Sequence, residues 1–439
     1  MLSEQNKSND VSVVDSQAKE TFATLETIIG NPDSLIFLER FVDRGSYHKF
    51  ALYSEVSQCF RPVEGDINFS LPYLSVPSDQ VTFITVNPDR RITDWIREDD
   101  AIKFFVHPDM VDVHRVIPAR SIISPENFNG SVTAAPTAST RTMLVNADGL
   151  PQFMIKTDLE KVISRFVREL DKTRVQYSLE ISNSLQEAAI DPSCPPSVGF
   201  LPETAGAYLE FDDGHSIGYL VRELNPRPAT ETKETLIPFF ALFSPNKANP
   251  SSDLLIFQLI ENIKRKKQIS DPSEALFQYI FKPCLESWAY LAYDCGLLPE
   301  RHAQNGLVAI DSDGIPTRII DRDFQGFNVD VSTRKSRGLS TNFSHHVVDP
   351  EKRGVVLSRC YDHRMGFQVF DPILEAVEKR YGPDVKVRTQ ESIKTMFRQL
   401  TPPEFLNVFP KEQFGLDNTT MFRDQPTVDV AKAQPPLYR

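Results

Sequence analysis

Apolar and polar positions change rhythm several times along the 439 residues. Between residues 80 and 125, "QVTFITVNPDRRITDW" and "AIKFFVHPDMVDVHRVI" alternate with a period of two, which predicts strands. "RTMLVNADGLPQFMIK" alternates on both sides of "NADG" and predicts a hairpin. From Leu159 to Lys172 the period becomes helical, with Leu159, Val162, Ile163, Phe166, Val167 and Leu170 on one face, so a helix is expected there. "AGAYLEF", "SIGYLVREL" and "TLIPFFALF" read as strands, and residues 251–298 and 367–400 as mainly helical. "RHAQNGLVAIDSDGIPTRIIDRDFQG" predicts a second hairpin with its turn in "DSDG". Two plain hairpins without regular βαβ alternation point to an α+β fold with mainly antiparallel sheets.

The second hairpin concentrates polar chemistry at its open end. A loop at Ser312 and Asp313 sets Gln304 opposite Asp321 and His302 opposite Asp323; an Asp313–Gly314 turn sets Gln304 opposite Asp323. Either register places His302, Gln304, Asp321 and Asp323 on one face and Arg322 on the other. Two carboxylates at i and i+2 repel each other, and Mg²⁺, which binds through carboxylates and substrate phosphates, suits them. A salt bridge or a turn cap accounts for the same spacing. In the first hairpin a loop at Ala147 and Asp148 puts Ser139 opposite Lys156, whereas an Asp148–Gly149 turn puts Arg141 there. Ser139, Arg141 and Lys156 are then expected on one face with Thr142 adjacent, a set suited to phosphate oxygens or to a plain basic hairpin end. Arg168 falls opposite the apolar face of the expected helix, which is equally the position of a solvated charge. Arg222 and Glu223 close a strand and read as a structural ion pair or as substrate contacts. Acidic and basic groups together point to a nucleotide with Mg²⁺.

Charge and composition narrow the classes. The formal net charge of −12 disfavours non-specific nucleic-acid binding. The start "MLSEQNKSND" has no apolar signal core, and "LIPFFALF" is too short to span a bilayer, so no membrane partner is expected. Five scattered cysteines without a CxxC argue against a zinc module or a disulfide framework and for a reduced, cytoplasmic setting.

The motifs resemble those of the nonribosomal-peptide-synthetase-independent siderophore synthetases, the IucA/IucC-type enzymes. "HAQN" is similar to the family's His-Gly-Gln-Asn and "RDFQG" to its Arg-Asp-Phe-x-Gly. "STRT", "FMIKTDLEKVISRFVREL", "FFVHPDMVDVHRVIPA" and the closing "ESIKTMFRQL" and "QPPLYR" resemble further family segments, so the likeness runs over about residues 25–439. It implies a cupped hand: a shortened thumb-like region at 19–125 after a disordered lead at 1–18, fingers at 126–250, and a palm at 251–439 with a helical C-terminus. It implies an AMP-forming ligase that uses ATP and Mg²⁺ to activate citrate or a related acid for an amine or hydroxyl nucleophile, with a homodimer as a candidate assembly. Carried over, Arg141, Lys156 and His302 are catalytic, Ser139, Thr142, Arg168, Gln304 and Asn305 hold the nucleotide, and Asp321 and Asp323 hold the metal. The family's Gly-His-Pro-x-His-Pro-x-x-Lys motif is altered here to "GNPDSLIFLERFVDRGSYHK", where His48 and Lys49 stand in for acid contacts alongside Arg222 and Glu223. Two other readings of the same residues are a degenerate synthetase that binds nucleotide without catalysis and a kinase-like phosphotransferase.

Overall fold

A computed structural model describes residues 24–42, 55–61, 68–115, 117, 120, 122–163, 166–247, 249–412 and 435–439. The expected lead at 1–18, along with His48 and Lys49, lies outside the described residues. Among the described residues, seventeen strands run in chain order: β1 Phe69–Pro77, β2 Thr82–Thr85, β3 Arg97–Glu98, β4 Ala101–Phe105, β5 Gly130–Pro136, β6 Thr142–Asn146, β7 Phe153–Thr157, β8 Leu159–Ile163, β9 Phe166–Arg168, β10 Val198–Phe200, β11 Glu203–Glu210, β12 Ser216–Glu223, β13 Thr235–Pro238, β14 Leu297–Leu298, β15 Gly306–Ile310, β16 Pro316–Asp321 and β17 Asn328–Val329.

Nine of them form one antiparallel sheet in the order β2-β11-β12-β7-β6-β5-β1-β4-β3. Strands on both sides of residue 125 pair within it, Phe69 of β1 lying opposite Ala134 of β5, so that expected boundary does not separate two sheets. One face buries Phe104, Met143, Phe153, Ile155, Tyr219 and Val221. The other face receives the helix Lys172–Ala189, which comes close because Gly206 and Gly218 have no side chain: a Cβ on either would meet Val175 at 2.7 Å. A second sheet, β10-β16-β15-β13, is antiparallel except for the parallel β10–β16 pair. It lies against a helical body that includes Leu255–Lys267, Lys282–Ala289, Asp371–Tyr381 and Pro383–Leu400, with Trp288, Tyr361 and Phe397 in its core. The expected α+β class, with mainly antiparallel sheets and a helical C-terminal part, is the observed one. Cys59, Cys194, Cys284, Cys295 and Cys360 form no disulfide. No helix among the described residues is long and apolar enough to cross a membrane.

Three expectations are corrected. The strand-like stretch 80–125 contains two helices, Arg90–Ile96 and Pro108–Arg115. Residues 159–172 do not form a helix: β8 and β9 make a two-stranded ribbon, and the helix starts at Lys172, where the expected one ended. The β-branched Val162, Ile163 and Val167 suit a ribbon as well as a helix face. What decides is that Asp158 Oδ1 accepts from Leu170 N–H (2.6 Å) and Arg141 takes the carbonyls of Arg168 (2.6 Å) and Glu169 (3.2 Å), groups that helical pairing would otherwise claim. Asp171 then caps the helix by accepting from Arg174 N–H at 2.8 Å. "TLIPFFALF" is a strand only through Pro238; Phe239–Phe243 is a short, fully buried helix.

The helix Ser34–Phe41 ties both hairpins together. Its Glu39, 1% exposed, accepts from Arg322 next to β16 and from Ala138 N–H (3.1 Å) next to β5, while Arg40 donates to the Pro136 carbonyl (3.0 Å). Removing one partner of a buried pair strands the other charge. Glu39→Ala should therefore cost about 3–5 kcal/mol in urea unfolding; a cost under about 1 kcal/mol, typical of exposed pairs, would show that Arg322 reaches water or another acid.

Candidate active site

The face of the large sheet turned toward the second sheet carries Leu144 and Met154, packed with Leu307, Ala309 and Ile320; Leu220, on the same face, packs with Leu170, Val175 and Leu179 instead. Toward one end this face becomes charged. Thr142 and Leu220 lie directly beside Lys156 on the flanking strands, and Glu203 lies opposite Arg222, so these side chains share one side by strand alternation. The chain leaving β16 delivers Asp323 and Gln325 onto this end.

The first hairpin takes neither expected register. Thr142, not Arg141 or Ser139, is opposite Lys156, because the connection runs from Ala147 to Gln152 with Gly149 at φ 74°. A one-residue shift reverses parity, and Arg141 falls opposite Thr157, whose N–H donates to its carbonyl at 3.0 Å. Arg141 nevertheless reaches the same place as Lys156. Thr140 at φ 64° turns the chain just before it, and Ser139 Oγ closes that turn by accepting from Thr142 N–H (3.0 Å). Arg141 donates to Gln325 Oε1 at 3.2 Å, and Lys156 donates to the same oxygen at 2.6 Å and to Asp323.

The second hairpin keeps the Asp-Gly register along its ladder, with Gly306 opposite Asp321 and Leu307 opposite Ile320, until a bulge after Ala309. Its polar residues do not share a face. His302, Gln304 and Asn305 lie in a turn ahead of β15, where Gln304 N–H donates to His302 Nδ1 at 3.2 Å. Asp323 follows β16 in a left-handed conformation, φ 67°, so strand alternation ends before it. Asp321 turns into the helical body and takes Arg301 on both oxygens, at 2.9 and 2.5 Å, with side chains 3% and 0% exposed. Asp321 is thus the counter-ion of Arg301, and the two carboxylates expected as a metal pair face different partners, Arg301 and Lys156. Arg322 clamps the "HAQN" turn: its N–H donates to the Asn305 carbonyl (3.0 Å) and its guanidinium to the Gln304 carbonyl (3.0 and 2.8 Å).

Arg222 and Glu223 are not paired with each other, as neighbours on a strand point to opposite faces. Arg222 donates to Glu203 (2.6 Å) and lies 3.9 Å from Asp323; Glu223 pairs with Arg227 (3.0 Å) and accepts from Asp89 N–H (2.7 Å). Sequence reading singled out neither Glu203 nor the bridging role of Gln325. It also missed Glu300, which pairs with Arg364 at 2.6 Å and sits over Gly326, where a Cβ would meet it at 1.9 Å. The glycine of "RDFQG" is the one signal that pointed to such a close approach.

The electrostatics favour an anion. Arg141, Lys156, Arg168 and Arg222 face Glu203 and Asp323, with Asp158 also acting on Arg141, four cations against three carboxylates, while Glu300 is matched by Arg364. Burial pushes Lys156 down to about 8 against the pull of Asp323, and Arg141 down to about 10. Burial alone would raise Asp323, but Lys156, then Arg222 and Arg141, hold it well below the usual carboxylate range. Arg222 Nε, Glu203 Oε2 and Gln325 Nε2 are buried without a hydrogen-bond partner. Surplus positive charge and unmet donors fit phosphate oxygens.

Two outcomes follow. Asp321→Asn should destabilise the fold by about 3–5 kcal/mol, because Arg301 loses the carboxylate that pairs with it, and should leave any Mg²⁺ dependence of ligand binding unchanged; the reverse pattern in urea unfolding and Mg²⁺ titration would restore it as a ligand. The Lys156 ammonium is charged below about pH 8 and loses its proton above it. Pyrophosphate affinity by calorimetry should therefore fall above pH 8, by up to about tenfold per pH unit, and Lys156→Arg should flatten that slope.

Residues 68–244, the large sheet and β13, match the model of the IucA / IucC family. No curated protein sequence matches the chain. Among solved structures, ATP-bound aerobactin synthetase IucA from a hypervirulent pathotype of Klebsiella pneumoniae aligns with TM-score 0.69 at 16% identity, over 93% of this chain and 77% of that one. Petrobactin biosynthesis protein AsbB from Bacillus anthracis str. Sterne aligns with TM-score 0.68 at 15% identity, over 97% and 79%. Aerobactin synthetase IucC from the same Klebsiella pathotype aligns with TM-score 0.65 at 14% identity, over 98% and 81%. The resemblance carried by the motifs is met to this extent: residues 68–244 match the IucA / IucC family model, and the chain shares the fold of these solved structures.

Proposed function

We propose that this protein is an ATP-dependent ligase that activates a carboxylate of a polycarboxylic acid as its adenylate and joins it to an amine or hydroxyl group, in siderophore-type biosynthesis. The observation that carries this reading is the buried convergence of Arg141, Lys156, Arg168 and Arg222 around Asp323 and Gln325, with polar atoms left unmet. The fold adds support, since one structure that shares it is of an ATP-bound synthetase.

In the first step an acid oxygen attacks the α-phosphorus, and pyrophosphate leaves with the bonding electron pair. In the second, the nucleophile attacks the acyl carbon, AMP leaves, and the nucleophile's proton passes to a base. Arg141, Lys156 and Arg168 meet the negative charge that grows on the phosphate oxygens, a stabilisation that is strong because the groups are fixed in place and shielded from water. Lys156 exchanges Asp323 for phosphate as the nucleotide enters, and Arg222, 3.9 Å from Asp323 in this structure, is at hand for the released carboxylate. Ser139 and Thr142 shape the turn that aims Arg141, and they hold phosphate oxygens alongside it. His302, Gln304 and Asn305 contact the nucleotide from the turn clamped by Arg322. His48 and Lys49 stay expected contacts of the acid in this reading, whereas Glu223, on the face opposite Arg222 and held by Arg227, is left out of the site. With Asp321 held by Arg301, Asp323 is the carboxylate that would hold Mg²⁺ beside the phosphates, where the ion would offset their charge. Positioning two substrates on one rigid junction supplies the remaining advantage.

Pyrophosphate release with ATP and a panel of polycarboxylic acids, with and without amines, tests the reading. Acid-dependent pyrophosphate and AMP are expected, and Arg141→Ala or Lys156→Ala should lower the rate by about 10²-fold or more. ADP as the product would instead identify a phosphotransferase, and the absence of nucleotide binding would leave a non-catalytic protein.

A further inference from the structure

We propose that His114, Asp158 and Glu160 form a binding site for one divalent metal ion that takes mixed nitrogen and oxygen ligands, such as Zn²⁺, Mn²⁺ or Co²⁺. The site is separate from the basic cluster. His114 stands near the end of the helix Pro108–Arg115, Asp158 is the single residue between β7 and β8, and Glu160 lies on β8. One ring nitrogen and one oxygen from each carboxylate all lie within 4.8 Å of one another. His114 is 1% and Asp158 6% exposed.

The second observation is an unmet oxygen. Asp158 Oδ1 accepts from Leu170 N–H at 2.6 Å, but Oδ2 is buried with no hydrogen-bond partner. Buried carboxylates side by side require positive charge. Arg120 supplies part of it: it donates to Glu160 Oε1 at 2.9 Å and lies 3.9 Å from Asp213. Asp158, Glu160 and Asp213 against Arg120 leave a formal charge of −2, and Lys161 is engaged by Asp109 at 3.2 Å. A divalent ion closes that balance. Arg120 also approaches His114 Nδ1 at 3.4 Å, a long and weak contact that an ion replaces while Arg120 keeps Glu160. His215 Nε2 lies 2.7 Å from Glu160 Oε1 at the rim of the cluster. Imidazole with carboxylates selects ions of the zinc and manganese kind over Mg²⁺.

The ion's effect follows from its place. Asp158 is two residues from Lys156, and the Leu170 N–H that it holds is two residues from Arg168. An ion on Asp158 fixes the β7–β8 junction and the end of the β8–β9 ribbon, and so sets where these two cations point. This is a positioning role, and no reaction step runs through the ion.

The test uses the full chain without nucleotide. Co²⁺ titration followed by visible absorption should give one binding event with d–d bands, and Zn²⁺ should raise the melting temperature. His114→Ala and, separately, Glu160→Gln should weaken Co²⁺ binding by at least tenfold and remove the melting shift. Glu160 is partly exposed, so Glu160→Gln reads the same question if His114→Ala fails to fold. A folded wild-type protein with no Co²⁺ bands and no shift overturns the proposal. So does binding that both variants retain, or Co²⁺ displaced by equimolar Mg²⁺.

Discussion

Lys156 on Asp323 is the contact around which the two halves of the molecule are arranged. An ammonium 2% exposed in the face of a nine-stranded sheet is stable as a charge only with an anion at hand. No acid on β6 or β12 lies directly beside it; Thr142 and Leu220 do. The anion comes from the other sheet, through the left-handed residue that follows β16. Packing of Leu144 and Met154 on Leu307 and Ile320 brings that residue within reach, so the apolar seam and the ion pair support each other.

The same seam explains why the cluster is poised rather than neutral. Glu39 is committed to Arg322, Asp321 to Arg301 and Glu300 to Arg364. These pairs hold the "HAQN" and "RDFQG" turns in place and use up the carboxylates that would otherwise cancel Arg141 and Arg168. The residual positive charge is therefore a product of the scaffold. It sits where Gln325 accepts from two cations at once while its own amide donors lack a partner. A phosphate chain meets both conditions, which is why adenylation is the reading this junction favours.

Much of this was legible in the residues. The alternation in "RTMLVNADG" and "GLVAIDSDG" marked real hairpins, and the concentration of hydroxyl, guanidinium and ammonium groups near Lys156 marked the basic side. Three things were not legible. The register at Lys156 depended on a loop four residues longer than a two-residue turn, and one step of slippage exchanges faces. The ribbon at 159–168 depended on Arg141 and Asp158 taking backbone groups from a distance, which local periodicity does not contain. Asp321 and Asp323 looked equivalent at i and i+2, yet one backbone torsion sends one to Arg301 and the other to Lys156.

By itself, then, the sequence determined the class of fold, the two hairpins and the kinds of groups gathered at their ends, because period, turn residues and composition act over a few neighbours. Tertiary structure decided which of those groups meet. Partners more than a hundred residues apart, such as Lys156 with Asp323 or Glu39 with Arg322, are selected by burial: a charge removed from water takes the counter-charge that packing leaves within reach. That selection turned Asp321 from an expected ligand into a buried counter-ion and left Asp323 as the carboxylate at the junction.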